Sequence, residues 1–188
     1  ALNRENTLSE MAKKLSTIPL GYQPGEHWEY GISVDVQAYL VELLSGQPYA
    51  EYVQEHVLDP LKMNNTRYVV PESDRNRMSS AYSHEGVSLN QLPNEEAHAF
   101  NYKKWPLTPG GWGLTSTLDD YMRFARMLVN DGKLDGVEVL EPQTVELMST
   151  NHLDENITDR SWLPSKGQVG FGIDFAVRLQ PPASVEEN

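Results

Sequence analysis

The chain has 188 residues, 15 basic against 27 acidic side chains for a formal charge of −12, and an apolar fraction of 39% with four tryptophans and nine tyrosines. A chain of this size can form one domain with a sizeable core, and its composition excludes disordered, fibrous and disulfide-built classes. Its acidic balance argues against nucleic acid and anionic membrane as partners, because like charges repel and no basic patch offers counterion release.

The first helix is predicted to start at Thr7, whose hydroxyl can cap the backbone while Glu10 reaches back, with Leu8, Met11, Leu15 and Ile18 as its apolar stripe. Pro19 and Gly21 stop it. Ser33 is expected to cap a second helix carrying Val36, Tyr39, Leu40, Leu43 and Leu44, closed by Gly46 in a left-handed conformation. Pro48 then opens a third helix through Tyr49, Tyr52 and Val53 to about Leu58.

Beyond Asp59 the periodicity weakens, leaving a short strand-like RYVV and an expectation of irregular structure over 79–109. Order returns at GGWGLTSTLDD, where Ser116 with Asp119 resembles a capping pair for a helix ending at Asp131 and Gly132. GVEVL at 136–140 reads as a short strand, and Pro142 opens another helix through Val145 and Met148. In GFGIDFAVRL, Phe171, Ile173, Phe175, Val177 and Leu179 alternate at period two, so 171–179 reads as one half-buried strand. The expected class is therefore mainly α with minor β, residues 1–188 forming a single helical unit.

The chain has no cysteine, which removes thiolate catalysis and leaves cytoplasm and periplasm both open for a soluble protein. It contains no run of about 18 apolar residues that would span a membrane. His27, His56, His84, His98 and His152 show no metal-ligand spacing, and no phosphate-binding glycine loop occurs, so neither metal nor cofactor is implied.

Two hydroxyls in WEYGISVDV compete for a chemical role. A nucleophile elbow at Ser33 would need a small residue where Asp35 stands, so Ser33 reads as a helix cap. Tyr30 precedes a helix start and becomes a base only if neighbouring cations favour its phenolate; from spacing alone, packing or hydrogen bonding is the commoner role for such a tyrosine. The cluster Gly110, Gly111, Trp112 and Gly113 allows close backbone approach to a substrate with Trp112 walling an acyl pocket, or forms a tight turn before the next helix.

PGEHWEYGISVDVQAYLVELLSGQPYAEYVQEHVLDPLKMNNTRYVVP, continued by GGWGLTSTLDDYMRFARMLVNDGKLDG, EPQTVELMSTNHL and GFGIDFAVRL, resembles the serine beta-lactamase-related hydrolases. That family comprises class C beta-lactamases, D-alanyl-D-alanine carboxypeptidases and esterase relatives. The resemblance implies a helical region of the beta-lactamase/transpeptidase-like fold with a strand near its C-terminus. It also implies that Tyr30 is the tyrosine of the family's Tyr-x-Asn motif, the general base working with the lysine of a Ser-x-x-Lys nucleophile motif. Ile32 replaces the asparagine, a departure that resembles the esterase branch. Ile32, Gly111 and Trp112 are the expected substrate-binding residues, and an ester or amide is the expected substrate.

No Ser-x-x-Lys occurs in the chain, and no Lys-Thr-Gly, His-x-Gly or Trp-Gly-Gly motif follows the GFGIDFAVRL segment. The expectation is therefore a middle portion of an esterase-like hydrolase, inactive alone, with strand 171–179 free to self-associate. The rival reading is a binding or lid module without catalysis.

Overall fold

The computed structural model describes residues 3–157 and 169–180. Helix α1, Leu8–Leu15, starts at the expected cap: Glu10 N–H donates to Thr7 Oγ1 at 3.2 Å, and the Glu10 carboxylate accepts from Thr7 N–H at 2.8 Å. Helix α2, Ser33–Ser45, ends on left-handed Gly46 as expected. Its start differs. Ile32 is the capping residue, Ser33 lies inside the first turn, and no side chain caps the end.

Helix α3, Tyr49–Val53, runs into a widened π turn, Gln54–Leu58, in which Asp59 N–H reaches back to Gln54. RYVV forms only one bridge, Arg67 with Thr115, followed by a 3₁₀ turn at Glu72–Arg77. The 79–109 region is more regular than its sequence suggests. Strands β1, Tyr82–Glu85, and β2, Ser88–Gln91, form a hairpin turning at Gly86, and a short helix α4 spans Asn94–Ala97. All of β2 is exposed, so no alternation of apolar and polar residues marks it.

Helix α5, Leu118–Val129, is capped by Thr117, whose hydroxyl accepts from Asp120 N–H, rather than by Ser116. Ser116 instead shares a 2.7 Å hydrogen bond with Thr66. Strands β3, Lys133–Leu134, and β4, Val137–Glu138, form a small hairpin, and α6 spans Pro142–Ser149 with proline in its first turn.

The stretch expected as one strand, 171–179, is instead part of a hairpin. β5, Val169–Phe171, pairs antiparallel with β6, Ala176–Arg178, across a turn closed by Gly172 N–H to Phe175 O at 2.8 Å. Asp174 adopts a left-handed φ of 59° within that turn. The reversal interrupts the period-two pattern that had suggested a continuous strand. Helices with small two-stranded sheets make up the described architecture.

Two apolar clusters hold these elements. In one, Leu8, Met11, Ala38 and Leu107 join α1 to α2 and the loop before the glycine cluster. In the other, Leu58, Leu61, Met63, Met127 and Leu134 pack α5 and β3 against the end of the π turn. Each fully buried Leu or Met contributes about 1.5–3 kcal/mol, which makes these contacts the main determinants of helix placement.

Candidate active-site cleft

A cleft of about 500 Å³ opens where the N-terminal end of α2, the glycine cluster and the β5–β6 turn converge. Tyr30, Ile32, Gly111 and Trp112, the four residues singled out in the sequence, all line it. Two further cavities, of about 70 and 100 Å³, fall below the size range of small-molecule sites.

Tyr30 stands on the segment entering α2, and its side chain is 78% exposed. Ile32 caps the helix and faces the same space, half-buried. Ser33, the competing hydroxyl, also lines the cleft, at the first position of α2. Trp112 is 38% exposed and its ring meets Phe100 at 4.5 Å, so one side of the indole rests on protein.

The glycine cluster is held against α2 by close approach. A Cβ at Gly110 would collide with the Val34 carbonyl oxygen and come within 2.9 Å of Ala38 Cβ. Gly113, at φ +97°, leaves no room either: a Cβ there would lie 2.6 Å from Phe100. Both positions therefore require glycine, for packing at Gly110 and for packing and backbone together at Gly113.

Polar contacts fix the same loop. Gly110 N–H donates to Asp35 Oδ1 at 3.1 Å, and Tyr68 donates its hydroxyl to Pro109 O at 2.7 Å. Asn101 Nδ2 donates to Gly113 O at 2.6 Å and to Tyr68 O at 2.9 Å. Burial pushes the Tyr68 hydroxyl well above its ordinary value, with Tyr49 and Asp35 adding to the effect. The Tyr49 hydroxyl is raised as well, by burial first and then by Asp174 and Asp35.

Asp35, Tyr68 and Asn101 are positioning residues that spacing did not single out. Asp35 carried a signal, since an acidic residue in the first turn of a helix is placed for the helix dipole. Trp28, Phe171 and Asp174 also line the cleft, and Trp28 meets the Phe171 ring edge-on at 5.2 Å. Nothing local in the sequence brings residue 28 to residue 171. Among the described residues no group of three or more His, Cys, Asp or Glu is placed to hold a metal ion, and no helix is long and apolar enough to cross a membrane.

Solved structures share this helical, cleft-bearing fold. EstCE1, a hydrolase with promiscuous acyltransferase activity, superposes with a TM-score of 0.74 at 22% identity, covering 93% of this chain and 46% of that one. Unliganded simvastatin synthase from Aspergillus terreus, as its selenomethionyl derivative, superposes at 0.73 with 21% identity, covering 92% and 46%. Residues 1–183 match the Beta-lactamase family, and the chain belongs to that family. Protein Rv1367c of Mycobacterium tuberculosis (strain ATCC 25618 / H37Rv) is 34% identical over 178 residues, 90% of this chain and 42% of that protein. Lovastatin esterase of Penicillium rubens is 29% identical over 154 residues, 80% and 37% respectively. The chain thus spans less than half the length of these relatives.

Proposed function

We propose that this chain is the tyrosine-bearing portion of an esterase-type serine acyl hydrolase, with residues 1–188 acting as one helical unit. The observation that carries this is the single cleft lined by Tyr30, Ile32, Gly111 and Trp112. Relatives described as an esterase from Burkholderia gladioli and a lovastatin esterase support ester chemistry.

In the proposed reaction a serine hydroxyl from outside this sequence attacks the ester carbonyl carbon. Tyr30, with the partner lysine of the Ser-x-x-Lys motif, takes the serine proton and passes it to the departing alkoxide. Water then cleaves the acyl-serine by the reverse proton path, releasing acid and free serine. Ile32 presents an apolar surface where an amide would hydrogen-bond, which suits an ester better than a beta-lactam side chain. Gly111 and Trp112 form the acyl wall. The β5–β6 hairpin is the part of this chain that would meet either the remainder of the fold or a second copy.

Mixing this chain with a polypeptide carrying the family's Ser-x-x-Lys segment and assaying p-nitrophenyl ester hydrolysis tests the proposal. The chain alone should give no turnover, and the mixture should recover it. Tyr30→Phe should lower the recovered rate by about 10²–10⁴-fold, the range for losing one proton-transfer group. Full activity in Tyr30→Phe would remove Tyr30 from the chemistry. The second reading, a binding or lid module, is favoured by the missing Ser-x-x-Lys, and absence of turnover in every mixture would support it.

A further inference from the structure

Trp112 does not stand alone in the cleft wall. Its ring meets Phe100 at 4.5 Å, and Phe100 in turn lies nearly parallel to Trp105, with centroids 6.3 Å apart and 5° between the planes. Trp112 lines the cleft, whereas Phe100 and Trp105 line the separate cavity of about 100 Å³. Phe100 thus touches the cleft wall on one side and belongs to the cavity on the other.

That cavity suits a hydrocarbon chain. Ala50, Val69 and Leu107 join the two aromatic residues in its lining. Its polar members are already engaged or exposed: the Tyr68 hydroxyl donates to Pro109 O, Lys103 lies 3.7 Å over the Trp105 ring, and both Lys103 and Lys104 are exposed.

Contacts from three directions hold Phe100 in place. Trp105 Nε1 donates to Phe100 O at 2.9 Å, and the Arg4 guanidinium lies over both rings, 5.3 and 5.4 Å from their centroids. Gly113 approaches so closely that a Cβ there would lie 2.6 Å from the Phe100 ring. Aromatic pairs and guanidinium contacts of this kind add attraction beyond the area they bury. An acyl chain pressing on Trp112 therefore meets a backed wall.

We propose that Phe100 limits acyl length: it holds Trp112 forward and separates the cleft from an apolar cavity that a longer chain would otherwise enter. Acting through Trp112, it is a positioning residue. Shortening its side chain joins the two spaces, and each methylene that then leaves water strengthens binding by about fourfold. The role rests on the acyl-wall reading above, but its test needs no turnover.

The experiment titrates this chain with methyl butanoate and methyl octanoate and follows the Trp112 indole N–H in ¹H–¹⁵N spectra, the signal being identified by its loss in Trp112→Phe. The ratio of the two dissociation constants should favour octanoate about tenfold more strongly in Phe100→Ala than in the parent. Phe100→Leu keeps apolar bulk and should move the ratio the same way by a smaller factor; it carries the test if circular dichroism shows the alanine variant losing its helices. A ring with only a structural role would change affinity for both esters alike. An unchanged ratio in the folded variants, an equal loss of both esters, or no saturable shift of the Trp112 indole with either ester would each overturn the proposal. Because binding alone is read, a null result for Tyr30→Phe in the hydrolysis assay leaves this outcome standing, and a failure here leaves the hydrolysis outcome intact.

Discussion

Gly110→Ala puts the most direct strain on the junction between α2 and the cleft wall. The added methyl would land on the Val34 carbonyl oxygen and against Ala38 Cβ, so backbone has to separate from backbone. Overpacking of this kind costs about 1–3 kcal/mol. Separation also stretches the bond from Gly110 N–H to the buried Asp35 carboxylate, and hydrogen bonds to charged groups contribute about 1.5–3 kcal/mol. The loop can relieve part of each, so a loss of about 3 kcal/mol is expected. Gly21→Ala is the control, since nothing lies within 4 Å of the position its Cβ would occupy. Urea unfolding followed by tryptophan fluorescence should show a lower midpoint for Gly110→Ala and little change for Gly21→Ala. Equal midpoints for both variants would refute the close approach of this loop to α2.

Capping provides a second test. Thr117→Ala should lower stability by about 1 kcal/mol, as Thr117 accepts from Asp120 N–H, whereas Ser33→Ala should fall within about 0.5 kcal/mol of the parent because its hydroxyl caps nothing. Thermal unfolding of the two variants separates them, and the opposite order would return Ser33 to the cap. Alkaline titration tests Tyr68. Burial raises its folded value above the unfolded one, so its contribution is complete below about pH 10 and is lost as pH rises toward the folded value. Tyr68→Phe should lose about 1 kcal/mol at neutral pH from the missing bond to Pro109 and show a shallower decline above pH 10; an unchanged alkaline limb would contradict the shift.

Local chemistry was the most readable layer of this chain. The Thr7–Glu10 box, left-handed Gly46 and Pro142 at the head of α6 each act through residues within one helical turn, and each stands where the sequence placed it. Caps one residue apart were harder: Ile32 and Thr117 displaced Ser33 and Ser116 because backbone geometry and the Thr66 contact decide which hydroxyl is available. The exposed β1–β2 hairpin carried no burial pattern to read, and the reversal around Asp174 was masked by apolar residues that happened to alternate across it. Tyr30 and Ile32 were singled out through motif resemblance and Gly111 and Trp112 through the chemistry of the glycine cluster, and all four line one cleft. Trp28 beside Phe171, and Asp35 beside Gly110, depend on packing between distant segments and leave no local trace.

The Asp35–Gly110 bond spans 75 residues, and the opposite wall of the cleft is contributed by residues 171 and 174. Helices form on short loops, but closing segments this far apart exacts a larger entropic cost and proceeds more slowly. On refolding, helical signal should therefore return before the cleft can take a ligand. The interval between the two would measure how late the walls meet, making ligand capture a reporter of the final stage of folding.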